Sequence, residues 1–149
     1  ISRCQIIRFK PYSNQELKQF IEESKHKSLV TLSDSEVLEN LIFISNGSPG
    51  KLLDNLKIWD QISENIKHNI KYPLKNYEDI LFLAKNISSN LDLNQQVLLL
   101  NYIQRDWWKK TKDKKIAEIL ESLKENINSN IQPRASWEVA LIKVKLENS

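Results

Sequence analysis

The sequence predicts an all-helical fold, on three observations. Apolar residues recur at threes and fours in nearly every segment, which lines them along one face of a helix. Ser-x-x-Glu capping signatures stand before two of these stripes, at Ser13–Glu16 and Ser33–Glu36. Glycine occurs only twice in 149 residues, and both copies sit in one corner, Gly47-Ser48-Pro49-Gly50-Lys51.

One stretch dissents. Cys4 to Phe9 is rich in β-branched and aromatic residues and is ended by Pro11, so it reads as a strand. No second convincing strand follows. A lone strand cannot satisfy its own amides and carbonyls, so its partners are expected upstream of Ile1. The chain begins with Ile and contains no Met, which fits a piece of a longer protein.

In order, the Ser13 box starts a first helix with Leu17, Phe20 and Ile21 on its inner face. The Ser33 box starts a second, with Val37, Leu38, Leu41 and Ile42 as its stripe. Gly47 closes that helix, because a left-handed cap is cheapest without a Cβ. Ser48 can then accept from the next helix's first amides, and Pro49 suits a first helical position because the missing N–H would have no partner there. The third helix carries Leu52, Leu53, Leu56, Trp59, Ile62, Ile66 and Ile70 and is expected to run unbroken to Tyr72-Pro73, since a residue before proline is pushed out of the α region.

Four helices are expected after Pro73. Tyr77, Ile80, Leu81, Ala84, Ile87 and Leu91 form the first stripe. Gln95 to Trp108 is apolar on more than one face, which predicts a central helix surrounded by others. Ile116, Ile119, Leu120, Leu123 and Ile127 mark the third, ended by the polar turn Asn128-Ser129-Asn130. Pro133 opens the last, with Trp137, Ala140, Leu141 and Val144 facing inward. The boundary between two helical units is expected near Tyr72 to Asn76.

Composition excludes several functions. No segment approaches the ~18 apolar residues that span a bilayer, and no leader opens the chain, so a cytoplasmic globular protein is expected. The single cysteine, Cys4, cannot pair internally, and with His26 and His68 it makes no metal site. There is no phosphate-binding Gly-rich loop, His-Glu-x-x-His or nucleophile elbow; the chain alone is not expected to be an enzyme. A net charge of +3 permits contact with nucleic acid without arguing for it.

The densest basic run, Arg105 to Lys115, interleaves Arg105, Lys109, Lys110 and Lys112 with Trp107 and Trp108. Such a run can grip a single strand by phosphate contact and base stacking. The simpler reading is a solvated helix end, with lysines favoured by the C-terminal dipole and one tryptophan in the core.

Ser2-Arg3-Cys4-Gln5, the short strand, the capped helix and Gly47-Ser48-Pro49-Gly50-Lys51 together resemble the AAA+ clamp-loader ATPases of bacterial DNA polymerase III, most of all the delta-prime subunits. The resemblance covers the whole chain and is strongest over residues 1–56. It implies that residues 1–9 end an ATPase core, 10–72 form a three-helix lid and 73–149 a helical collar that holds subunits in a ring, which would account for the orphan strand.

It also implies that Arg3 acts in trans as an arginine finger toward ATP and Mg bound at the neighbouring subunit; this chain would hold no cofactor itself. An always-charged, bidentate guanidinium suits charge developing on a γ-phosphate. Motor subunits of the family carry an arginine at the start of the third lid helix, where this chain has Gly50, with Lys51 one residue out of register. That favours a subunit that hydrolyses little ATP, with Gly47 to Lys51 as a lid corner near nucleotide. The implied partners are the motor and delta subunits and, through the complex, the sliding clamp and primer-template DNA, with no membrane. A motor ATPase and a helical nucleic-acid-binding module using Arg105 to Lys115 are the alternatives. Trp107, Trp108 and Trp137 are candidate anchors of the collar face wherever they are exposed.

Overall fold

The structure, a computed structural model, describes residues 10–23 and 35–148. Among these residues there are eight helices and no strand: α1 (Asn14–Glu23), α2 (Ser35–Ile44), α3 (Pro49–Gln61), α4 (Glu64–Asn69), α5 (Tyr77–Asn90), α6 (Leu93–Thr111), α7 (Lys114–Asn128) and α8 (Pro133–Glu147). The predicted strand, Arg3, Cys4, His26 and the Ser33 cap lie outside the described residues.

Local chemistry sets the helix ends. Ser13 Oγ accepts from the Glu16 amide at 3.1 Å, and Glu16 reaches back to the Ser13 amide. A box the sequence reading missed opens α6, where Asp92 and Gln95 satisfy each other's amides at 2.8 and 2.9 Å. Pro133 is the first residue of α8, and Asn130 turns the preceding chain with φ 59°.

The expected third helix is two helices. Ile62 leaves helical geometry, and Ser63 caps α4 by accepting from the Ile66 amide. Apolar spacing carried across this break because Ile62, Ile66 and Ile70 all remain buried, while the bend brings α4 against α5. A serine that can bond the amides ahead of it competes with helix continuation, a signal that periodicity does not register.

The center of the molecule is α6, which packs against α2 and α3 on one side and α7 on another; α8 lies between α5 and α7. Its buried residues include Leu98, Leu99, Leu100, Tyr102, Ile103 and Trp107, as expected of a surrounded helix. The buried apolar side chains form one cluster from Leu17 to Val144. Two aromatic pairs tie α3 and the turn after α4 to α6: Trp59 lies 4.2 Å from Tyr102, and Tyr72 lies 5.7 Å from Trp107, centroid to centroid. The Tyr72–Pro73 peptide is cis, and the Tyr72 hydroxyl bonds Asn148 at the end of α8.

Two stripes differ from the expected ones. Tyr77 and Leu81 are exposed, and Leu83 takes the inward position of α5 instead. Phe20 is 37% exposed, leaving Leu17 and Ile21 as the fully buried pair of α1. On α5 two apolar registers compete, and tertiary packing selects between them; on α1 Phe20 stands at the edge of the single stripe.

Candidate functional site

The glycine corner is built as its residues require. Asn46 and Gly47 both have positive φ, 50° and 77°. The Gly47 carbonyl accepts from the Tyr12 amide at 2.9 Å, and a Cβ on Gly47 would lie 2.6 Å from Pro11 Cβ and 2.7 Å from the Tyr12 carbonyl oxygen. Glycine is therefore fixed twice, by conformation and by close approach. Ser48 Oγ accepts from the Lys51 amide at 3.2 Å, and Pro49 begins α3. Beneath the corner, buried Ser45 donates to the Leu41 carbonyl at 2.6 Å and accepts from Asn55 at 3.1 Å. Gly50 and Lys51 face solvent, and a Cβ on Gly50 would meet only Ser48 Oγ, 3.9 Å away.

The basic run divides in two. Lys110 pairs with the buried carboxylate of Asp106 at 3.0 Å, and Asp106 accepts from Asn40 of α2 at 3.2 Å. Lys112 is the left-handed C-cap of α6, φ 51°, its amide bonded to the Trp108 carbonyl. Neither side chain lines the cleft that the remaining pair shares.

Arg105 and Lys109 instead come together at a cleft of about 340 Å³ between α1, α2 and α6, which Lys18 of α1 also lines. The Arg105 guanidinium sits 3.8 Å over the ring of Phe43, itself 45% exposed. At this cleft Asn40 is 1% exposed, with its Nδ2 committed to Asp106 and its Oδ1 without a donor; Arg105 Nε is likewise buried without an acceptor. Lys18, Asn40 and Phe43 were not singled out from the sequence. An asparagine set directly before Leu41 and Ile42 of the inner stripe is the one signal that could have marked the place.

Trp107 and Trp137 are fully buried, which removes them as anchors for a partner; Trp108 is 37% exposed and remains. Trp137 Nε1 donates to Gln96 at 3.0 Å, and Gln96 donates to the Leu91 carbonyl. The outer face of α5 presents Tyr77, Leu81 and Phe82. Among the described residues, no three His, Cys, Asp or Glu side chains are grouped to hold a metal, and no helix is long and apolar enough to cross a membrane.

A family model described as the cyanobacterial DNA polymerase III delta prime, C-terminal domain, matches residues 15–144. The chain belongs to this family. Membership carries the role of a clamp-loader subunit that associates with other subunits of the DNA polymerase III loader. Comparison with curated proteins and with solved structures gave no match.

Proposed function

We propose that this chain is the lid and collar portion of a clamp-loader subunit that helps load the sliding clamp onto primed DNA in the cytoplasm. The observation that carries the reading is the family match over residues 15–144. On this reading residues 1–9 end the ATPase core, 10–72 are the lid and 73–149 the collar. The collar joins the motor and delta subunits in a ring, and Arg3 reaches across a boundary to ATP and Mg held by the neighbour.

The chain's own work is then mechanical. The packing of α6 against α2, α3 and α7 supports this, because it joins collar to lid by direct helix contacts through which a load can pass. The glycine corner supports a subunit of low intrinsic turnover: Gly50 offers no cation, and Lys51 lies about 100° further round the helix. The corner would still approach nucleotide through Lys51.

Size-exclusion chromatography with light scattering tests assembly, using this chain alone and mixed with the C-terminal region of the same organism's motor subunit. A mixed complex that neither component forms alone is expected; separate elution at micromolar concentration counts against the reading. For the finger, Arg3→Ala in the reconstituted loader should lower DNA-stimulated ATPase by about 10³-fold or more if the guanidinium stabilises the transition state. Unchanged turnover removes the assignment.

A further inference from the structure

We propose that the cleft between α1, α2 and α6 binds a nucleotide unit, its phosphate held by Lys18, Arg105 and Lys109 and its base stacked beside Phe43. The walls carry those three cations against one carboxylate, Glu39. None of the three is ion-paired among the described residues, whereas Lys110, on the same helix, is neutralised by Asp106. The first turn of α1 contributes Asn14 and Gln15 to the same wall, where the positive end of a ten-residue helix adds to the field.

The floor distinguishes a nucleotide from a bare anion. Asn40 Oδ1 lacks a donor and Arg105 Nε lacks an acceptor, both buried at the edge of the cleft. A ligand that satisfies them carries an anionic acceptor together with an N–H or O–H donor, reached by a small shift of Arg105 along the Phe43 ring. Inorganic phosphate has no use for the aromatic platform, while a base stacks on a guanidinium or phenyl plane regardless of its identity. The volume, about 340 Å³, falls at the lower end of the roughly 300–1,000 Å³ of small-ligand sites.

The same chemistry is offered by a free nucleotide and by one residue of a single strand. The test measures anisotropy of a labelled oligo(dT) of about 12 nucleotides with the 149-residue chain at low salt, with dTMP as competitor. Lys18→Glu/Lys109→Glu is expected to weaken binding about tenfold or more, and Lys57→Glu/Lys85→Glu, an equal change in net charge away from the cleft and from the Arg105–Lys115 run, by less than about twofold. Thermal melts confirm that both variants are folded.

Displacement by dTMP places a free nucleotide in the cleft; oligomer binding that dTMP does not displace assigns it to a strand. Absence of binding by either, or equal loss in the two double variants, overturns the proposal. So does competition by poly-glutamate as effective as that by oligo(dT), which would make the cleft a site for acidic peptide. Because the assay uses this chain alone, its outcome is independent of whether the chain joins a ring.

Discussion

At the scale of single residues, the two glycines should behave oppositely. Gly47→Ala must hold a Cβ at φ 77° and push it into Pro11 and the Tyr12 carbonyl, so a loss of about 1–3 kcal/mol is expected in denaturant melts. Gly50→Ala makes only an ordinary contact with Ser48 Oγ in the first turn of α3 and should be neutral or gain up to about 1 kcal/mol. A Gly50→Ala loss as large as that of Gly47→Ala would mean that the corner is packed against something more. The buried tryptophans offer a second contrast. Trp137→Phe leaves Gln96 Oε1 without its donor, whereas Trp107 Nε1 has no partner to lose. Trp137→Phe should therefore cost about 1–3 kcal/mol more than Trp107→Phe. Equal losses would show that volume alone, not the Gln96 bond, keeps tryptophan at position 137.

Between elements, the polar bridge Asn40–Asp106–Lys110 joins α2 to α6 inside an otherwise apolar contact. Its middle member should dominate. Asp106→Ala removes the acceptor of a buried amide and is expected to cost about 2–4 kcal/mol, while Lys110→Ala should cost less, because the Asn40 amide still donates to the carboxylate. A double-mutant cycle over Asn40 and Asp106 should return a coupling of about 1–3 kcal/mol, and a coupling near zero would reduce the bridge to coincidence. This pair also shows where the sequence stops being informative. Helices were legible because their causes are local: the Ser13 box, the Gly47 stop and the Pro133 start each act within four residues. The Asn40–Asp106 bond spans 66 positions, and nothing at either end names its partner. The same holds for Lys18 and Lys109, which line one cleft because α1 and α6 both pack on α2. Among local features, the break at Ser63 escaped notice because Ile62, Ile66 and Ile70 are buried on both sides of it.

At the scale of the whole molecule, one apolar cluster runs from Leu17 to Val144, and α6 is common to both halves. Cooperative unfolding follows: calorimetry should give a single transition with equal calorimetric and van't Hoff enthalpies, and two separated transitions would show that residues before and after Pro73 fold independently. What this unit leaves uncovered is the outer face of α5. Tyr77, Leu81 and Phe82 are 45%, 42% and 57% exposed, on a helix whose other side is buried against α8. Apolar side chains that rank so high in burial elsewhere in the chain gain nothing from water here, and large aromatic anchors are what subunit interfaces concentrate. Leu81→Glu/Phe82→Glu should leave stability within about 0.5 kcal/mol, since neither side chain supports the core. The same variant should abolish the mixed complex with the motor subunit's C-terminal region in light scattering. If that complex persists with unchanged affinity, the contact lies on another face, and exposed Trp108, Val139 and Leu146 become the residues to replace.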